Sequence, residues 1–83
     1  MTIEYKGKNL EEGRKNPEAW IFYDETKKAE SEKADKLIDI LESKGWECPS
    51  EEGWIVVPLD SGKDDYDDLV WDYKEAKKAL RIR

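Results

Sequence analysis

Between Trp54 and Leu80 the chain spells out a strand and the helix that covers it. Trp54-Ile55-Val56-Val57 is an unbroken apolar tetrad, closed by Pro58 and a polar loop. Aromatic and β-branched residues of this kind suit a pleated, buried surface. After the loop the period changes. With Tyr66 set at zero and about 100° added per residue, Leu69, Val70, Tyr73, Ala76 and Leu80 share one arc of about 120°. That arc is a core-facing helical stripe. Asp64, Asp65, Asp67 and Asp68 crowd its start, and Lys74, Lys77, Lys78 and Arg81 crowd its end. A helix dipole favours acids and bases at those two positions.

Trp71 does not belong to the stripe. It falls at about 140°, nearly opposite the stripe centre at about 330°. Asp64, Asp67, Asp68 and Glu75 surround it at helical spacing, Asp72 follows it directly, and Lys74 and Lys78 stand at the edge. An indole framed by carboxylates is the kind of anchor that protein interfaces use. The candidate partner-binding set is therefore Asp64, Asp67, Asp68, Trp71, Asp72 and Glu75. The competing reading has the Trp71 ring fold against a loop such as residues 7–19 and join the core.

The 83 residues are expected to form one domain. A chain of this size hides only about 60% of its unfolded surface. Four Trp, four Tyr and one Phe compensate, since each large ring removes about 150–250 Å² from water. This is enough for one sheet layer and two helices, and too little for a deep pocket.

Taken in order, Thr2–Lys6 alternates Ile3 and Tyr5 with polar residues and reads as a strand with one buried face. Gly7-Lys8-Asn9 is a turn. It either returns the chain as a hairpin strand from Leu10, the preferred reading, or lets Asn9 cap a short helical turn through Glu11 and Glu12. Residues 13–17 read as a surface loop. Trp20-Ile21-Phe22-Tyr23 is the second apolar tetrad, expected as a central strand buried on both faces or nearly so. A helix follows, capped by Asp24, Thr26 or Ser31, with an effective start near Ser31-Glu32 because Lys27 and Lys28 oppose the dipole. Its stripe is Ala34, Leu37, Ile38 and Leu41, with Ile40 bordering the sheet. Gly45 ends it.

Trp46-Glu47-Cys48 is expected as a strand, residues 49–53 as a turn, Trp54–Leu59 as the returning strand, and residues 81–83 as a frayed tail. If Trp20–Tyr23 and Trp46–Cys48 paired in parallel, the helix between them would cross right-handed. The predicted class is α+β: a small, mainly antiparallel sheet of three to five strands, with two helices packed on one face.

Much chemistry is excluded. Histidine is absent and Cys48 is the sole cysteine, so the usual zinc sites, the common triads and an internal disulfide are all ruled out. Cys48 lies between Glu47 and Pro49, neighbours that oppose a thiolate. Asp60, Asp64, Asp65, Asp67 and Asp68 lack the alternating spacing of a calcium loop. No cofactor or metal is expected, and no enzymatic activity. No apolar run exceeds five residues, too short to span a membrane. The first residues carry no signal pattern, and the expected compartment is the cytoplasm.

Charge points to a partner class. The chain holds 15 basic and 21 acidic residues, net −6. Between Glu47 and Asp72 there are nine acids against Lys63 alone. Such a field repels phosphate backbones and attracts basic surfaces. Direct nucleic-acid binding would need a basic stripe. Lys6, Lys8, Arg14, Lys15, Lys77, Lys78, Arg81 and Arg83 are too interleaved with acids to form one. The expected function is a small acidic protein-binding module that occupies the basic surface of a nucleic-acid-handling protein. By analogy of size and charge alone, phage or mobile-element inhibitors of host defence nucleases, CRISPR effectors included, act as such DNA mimics. The alternative is a structural or assembly subunit that forms a homodimer or docks into a larger complex through the open sheet edge or Trp71.

Overall fold

A computed structural model describes residues 1–51 and 53–82. Glu52, expected in the turn and counted among the acids, and Arg83, expected in the tail and among the bases, lie outside the described residues. The element order is β1 (Thr2–Lys6), β2 (Glu18–Phe22), α1 (Lys28–Ser43), β3 (Ser50–Glu51), β4 (Trp54–Pro58) and α2 (Lys63–Ala79). The strands form one sheet in the order β1-β2-β4-β3, and every pairing is antiparallel.

Register decides which residues meet the helices. Ile3 stands opposite Ile21 and Tyr5 opposite Ala19, while Ile21 faces Ile55 and Ala19 faces Val57. These form one face of the sheet. Ala19, Ile21, Ile55 and Val57 are fully buried in one cluster with Ala34, Leu37 and Leu41 of α1 and Leu69, Tyr73 and Ala76 of α2. Ile38, Ile40, Trp46, Tyr66 and Leu80 pack against its margin. Tyr5 meets Tyr66 edge to face with ring centroids 5.3 Å apart, which ties β1 to α2. The two helices and the antiparallel sheet are therefore as the pattern of stripes and tetrads predicts. Among the described residues no helix is long and apolar enough to cross a membrane.

Several local expectations are overturned. Trp46-Glu47-Cys48 is not a strand, so the parallel pairing does not arise. α1 closes on Gly45, at φ +98°, with Gly45 N–H donating to the Glu42 carbonyl and Trp46 N–H to that of Leu41. This double bond to the last turn is the glycine-ended helix stop. It spends the Trp46 N–H on the helix, and the indole then packs toward α2. The third strand instead lies inside the segment that composition marked as a turn, where Ser50 and Glu51 pair with Ile55 and Trp54.

The return strand of β1 is β2 rather than a strand from Leu10. Asn9 and Arg14 form only an isolated bridge, and the Asn9 side chain accepts from the N–H groups of Glu11 and Glu12. That is the local competition for backbone donors that Asn favours. α1 begins at Lys28, its cap position is Lys27, and no side chain caps it. Asp24 instead accepts from the Thr26 N–H and hydroxyl, which tightens the turn before the helix. Arg81 and Ile82 are not frayed. Arg81 adopts φ +57°, and the N–H groups of Arg81 and Ile82 donate to the Lys78 and Lys77 carbonyls. The left-handed stop is again satisfied, here without a glycine.

The tetrads are buried on one side only. In β2 and β4 the residues alternate between full and half burial. Both helices lie on the Ala19/Ile21/Ile55/Val57 face, so Trp20, Phe22, Trp54 and Val56 form the other one.

Leu37 is fully buried and Leu10 is 67% exposed. Leu37→Ala is expected to lower the unfolding free energy by about 2–5 kcal/mol, and Leu10→Ala to change it by no more than about 0.5 kcal/mol, in urea titrations. The buried Tyr73 hydroxyl has no hydrogen-bond partner, and burial pushes its pKa up to about 12 from a usual 10.0. The folded chain thus holds this proton longer than the unfolded chain. The Tyr73 contribution to stability is unchanged below about pH 10 and falls as pH rises toward about 12. Burial likewise raises the Cys48 thiol to about 12, which adds to the alkaline loss. Tyr73→Phe is expected to keep or raise stability at neutral pH and to flatten the alkaline fall, measured by urea titration on both sides of the transition.

Candidate functional site

α2 positions the predicted residues. Its first turn carries Asp64 and Asp65, and its last turn Lys77 and Lys78, so the dipole is complemented at both ends. Gly62 precedes the helix at φ +65°, and no side chain caps it. The Asp65 carboxylate bends back to accept from the N–H groups of Asp60 at 2.8 Å and Ser61 at 2.6 Å. Asp65 therefore braces the loop from β4 into α2.

The Trp71 indole is 68% exposed, the most exposed large hydrophobic side chain among the described residues. It does not fold against residues 7–19. Asp64, Asp67, Asp68 and Glu75 are exposed beside it on the same helix. Asp67 lies 3.8 Å from Lys63, both side chains largely in solvent, a spacing worth only a few tenths of a kcal/mol. Asp64, Asp68 and Glu75 form no ion pair among the described residues. The structure thus brings Asp64, Asp67, Asp68, Trp71 and Glu75 onto one outer face spanning about 16 Å of helix.

Asp72 is the exception. It turns toward the end of α1, where its carboxylate accepts from the Trp46 indole N–H at 2.8 Å and stands 3.9 Å from the Lys44 ammonium. It fastens α2 to the glycine stop of α1 and is withdrawn from the outer face. The wheel hints at this, because Asp72 falls at about 240° and borders the buried arc.

A second feature follows from the one-sided packing and was not assigned as a site from the sequence. On the open sheet face, Trp20 packs against Phe22 and Trp54, with centroids 6.1 and 6.2 Å apart. The Lys6 ammonium and the Arg14 guanidinium lie over the Trp20 ring at 4.9 and 5.6 Å. The Trp20 indole N–H donates to Glu18 at 3.0 Å. Lys6 is also paired with Glu4 at 3.4 Å, and Arg14 with Glu12 at 2.9 Å. The aromatic layer is thus half covered by the chain's own cations, and those cations are already paired. The signal that could have revealed it was the helix count: two helices cover one face of four strands, and the tetrads then expose alternate residues.

Cys48 is buried and its thiol is held protonated, first by burial and then by the Glu42 charge. This is the opposite of what a nucleophile needs. Among the described residues no group of His, Cys, Asp and Glu converges to hold a metal ion. Comparison with protein-family models, curated proteins and solved structures finds no match.

Asp72→Ala is expected to cost about 1–3 kcal/mol of stability by orphaning the Trp46 donor, whereas Asp68→Asn and Glu75→Gln stay within about 0.5 kcal/mol. Acrylamide quenching checks the indole: Trp71→Phe is expected to remove the most readily quenched part of the fluorescence and leave the rest unchanged.

Proposed function

We propose that this chain is a small acidic protein-binding module that acts in the cytoplasm by occupying the basic surface of a nucleic-acid-handling protein. On this reading it is a DNA mimic of the anti-defence type, and it binds its target rather than transforming a substrate. The observation that carries the proposal is the Trp71 indole, 68% exposed on the acidic outer face of α2. A solvent-facing indole costs the free protein apolar exposure that burial in a partner would recover. Among the described residues the surrounding Asp64, Asp68 and Glu75 are not consumed by internal ion pairs, so they remain available to lysines and arginines of a partner. Opposite charge steers association and sets orientation, and the apolar ring supplies the desolvated centre. The net charge of −6 disfavours a phosphate ligand and favours a cationic protein.

The test is a titration of the chain against a panel of basic DNA- and RNA-binding proteins, nucleases included, at rising salt. A cognate partner is expected to bind less tightly as salt rises. Trp71→Ala is expected to cost about 2 kcal/mol or more of affinity. The triple variant Asp64→Asn/Asp68→Asn/Glu75→Gln is expected to lose about tenfold or more while keeping its circular dichroism spectrum. Undiminished binding by the triple variant, or a panel in which only acidic partners bind, overturns the proposal.

A further inference from the structure

We infer that β1 is a self-pairing edge: two copies of this chain join β1 to β1 antiparallel about Tyr5, with Glu4 of each copy opposite Lys6 of the other. The inference does not rest on the acidic outer face of α2.

The sheet has two edges, and they differ. At one end, β3 is two residues long and is entered through Pro49, whose nitrogen has no hydrogen to donate. The Pro49 carbonyl is already taken by the Val56 N–H. That end is too short to be extended. At the other end, β1 offers five residues, Thr2–Lys6, without a proline. They match β2 residue for residue, from Thr2 opposite Phe22 to Lys6 opposite Glu18, so no bulge twists the edge away. Among the described residues no hydrogen bond ends on its outer side. Short strands, prolines, bulges, covering loops and charged side chains, lysine above all, are the devices that keep sheet edges from pairing; of these, the described residues give β1 only the charges of Glu4 and Lys6. The strand is also held in place, because Tyr5 packs on Tyr66 and the Lys63 ammonium lies 5.4 Å from the Tyr5 ring.

What fits this edge is read from its charges. Glu4-Tyr5-Lys6 is complementary to its own reverse. A two-fold axis through Tyr5 sets Glu4 against Lys6 of the partner subunit and Lys6 against Glu4 of the partner subunit, on the open face of the sheet. On the helix face it sets Tyr5, 37% exposed, against its symmetry mate. Opposite charges facing across antiparallel strands stabilise the pair, and like charges destabilise it. Glu4 and Lys6 already stand 3.4 Å apart within one copy, Glu4 exposed and Lys6 half-buried over the Trp20 ring. Pairing therefore builds an alternating four-charge array without burying either group deeply. The result is a continuous eight-stranded sheet with all four helices on one side. Against it stands the repulsion of two chains of net −6, which is screened beyond about 8–10 Å at physiological salt. A single strand pair buries less than a standard interface, so the dimer is weak, with Kd of order 100 µM.

Sedimentation equilibrium of the full chain, from about 10 µM to about 1 mM at physiological salt, tests the inference through charge exchange. Glu4→Lys and Lys6→Glu each turn both symmetric pairs into like-charge pairs, and each is expected to weaken the dimer about tenfold or more. The double variant Glu4→Lys/Lys6→Glu restores the complementarity and is expected to return Kd to within about threefold of the parent. Trp71→Ala is expected to leave it unchanged. Circular dichroism confirms that each variant is folded. A chain that stays monomeric throughout overturns the inference. So does a dimer that neither single variant weakens, one broken instead by Trp71→Ala or Trp20→Ala, or a folded double variant that fails to recover. Loss of partner binding in the triple acid variant of α2 with this dimer intact would separate the two surfaces.

Discussion

Everything in this molecule follows from one-sided coverage. A sheet of four short strands gives two helices room on one face, and both of them lie there. The fully buried strand residues, Ala19, Ile21, Ile55 and Val57, all point to that face. Register then matters for every strand at once, because a slip of one residue would exchange the core set for Trp20, Phe22, Trp54 and Val56. The same geometry leaves the second face without a helix among the described residues and puts β1 at one end of the sheet.

The helices are held to each other by polar ties as well as by apolar contact. Gly45 ends α1 and delivers Trp46 to the groove beside α2, where its indole meets Asp72. Asp65 braces the loop that starts α2. These two carboxylates, close in sequence to Asp64, Asp67 and Asp68, do internal structural work while their neighbours stay in solvent. The acid excess is thus divided by helical phase. Acids on the flank of the buried arc stitch the fold, and acids opposite the arc give the surface its field. An exposed indole, Trp71, stands among the latter.

Legibility varied with the range of the interaction. The helical stripes of α1 and α2 and the outward phase of Trp71 were readable, since period alone places them. The left-handed stop at Gly45 was readable for the same local reason. The start of α1 was not, because no side chain caps it. Trp46–Cys48 looked like a strand by composition and Ser50–Glu51 like a turn. Which of them pairs depends on where β4 runs, and that is a long-range fact. Asp72 looked like its neighbours until the Trp46 donor, 26 residues distant in the chain, claimed it.

The amino-acid sequence by itself determined the class of fold, the two amphipathic helices, the apolar tetrads at the sheet's centre, and the acidic, outward character of the second helix. These are carried by side-chain period and charge, which act within a few residues. Only the tertiary structure decided that β1 pairs with β2, that the third strand is Ser50–Glu51, and that Asp72 is structural while Trp71 stands free. Those outcomes depend on which distant surfaces meet, and pairwise contact between remote segments leaves no periodic mark in the chain.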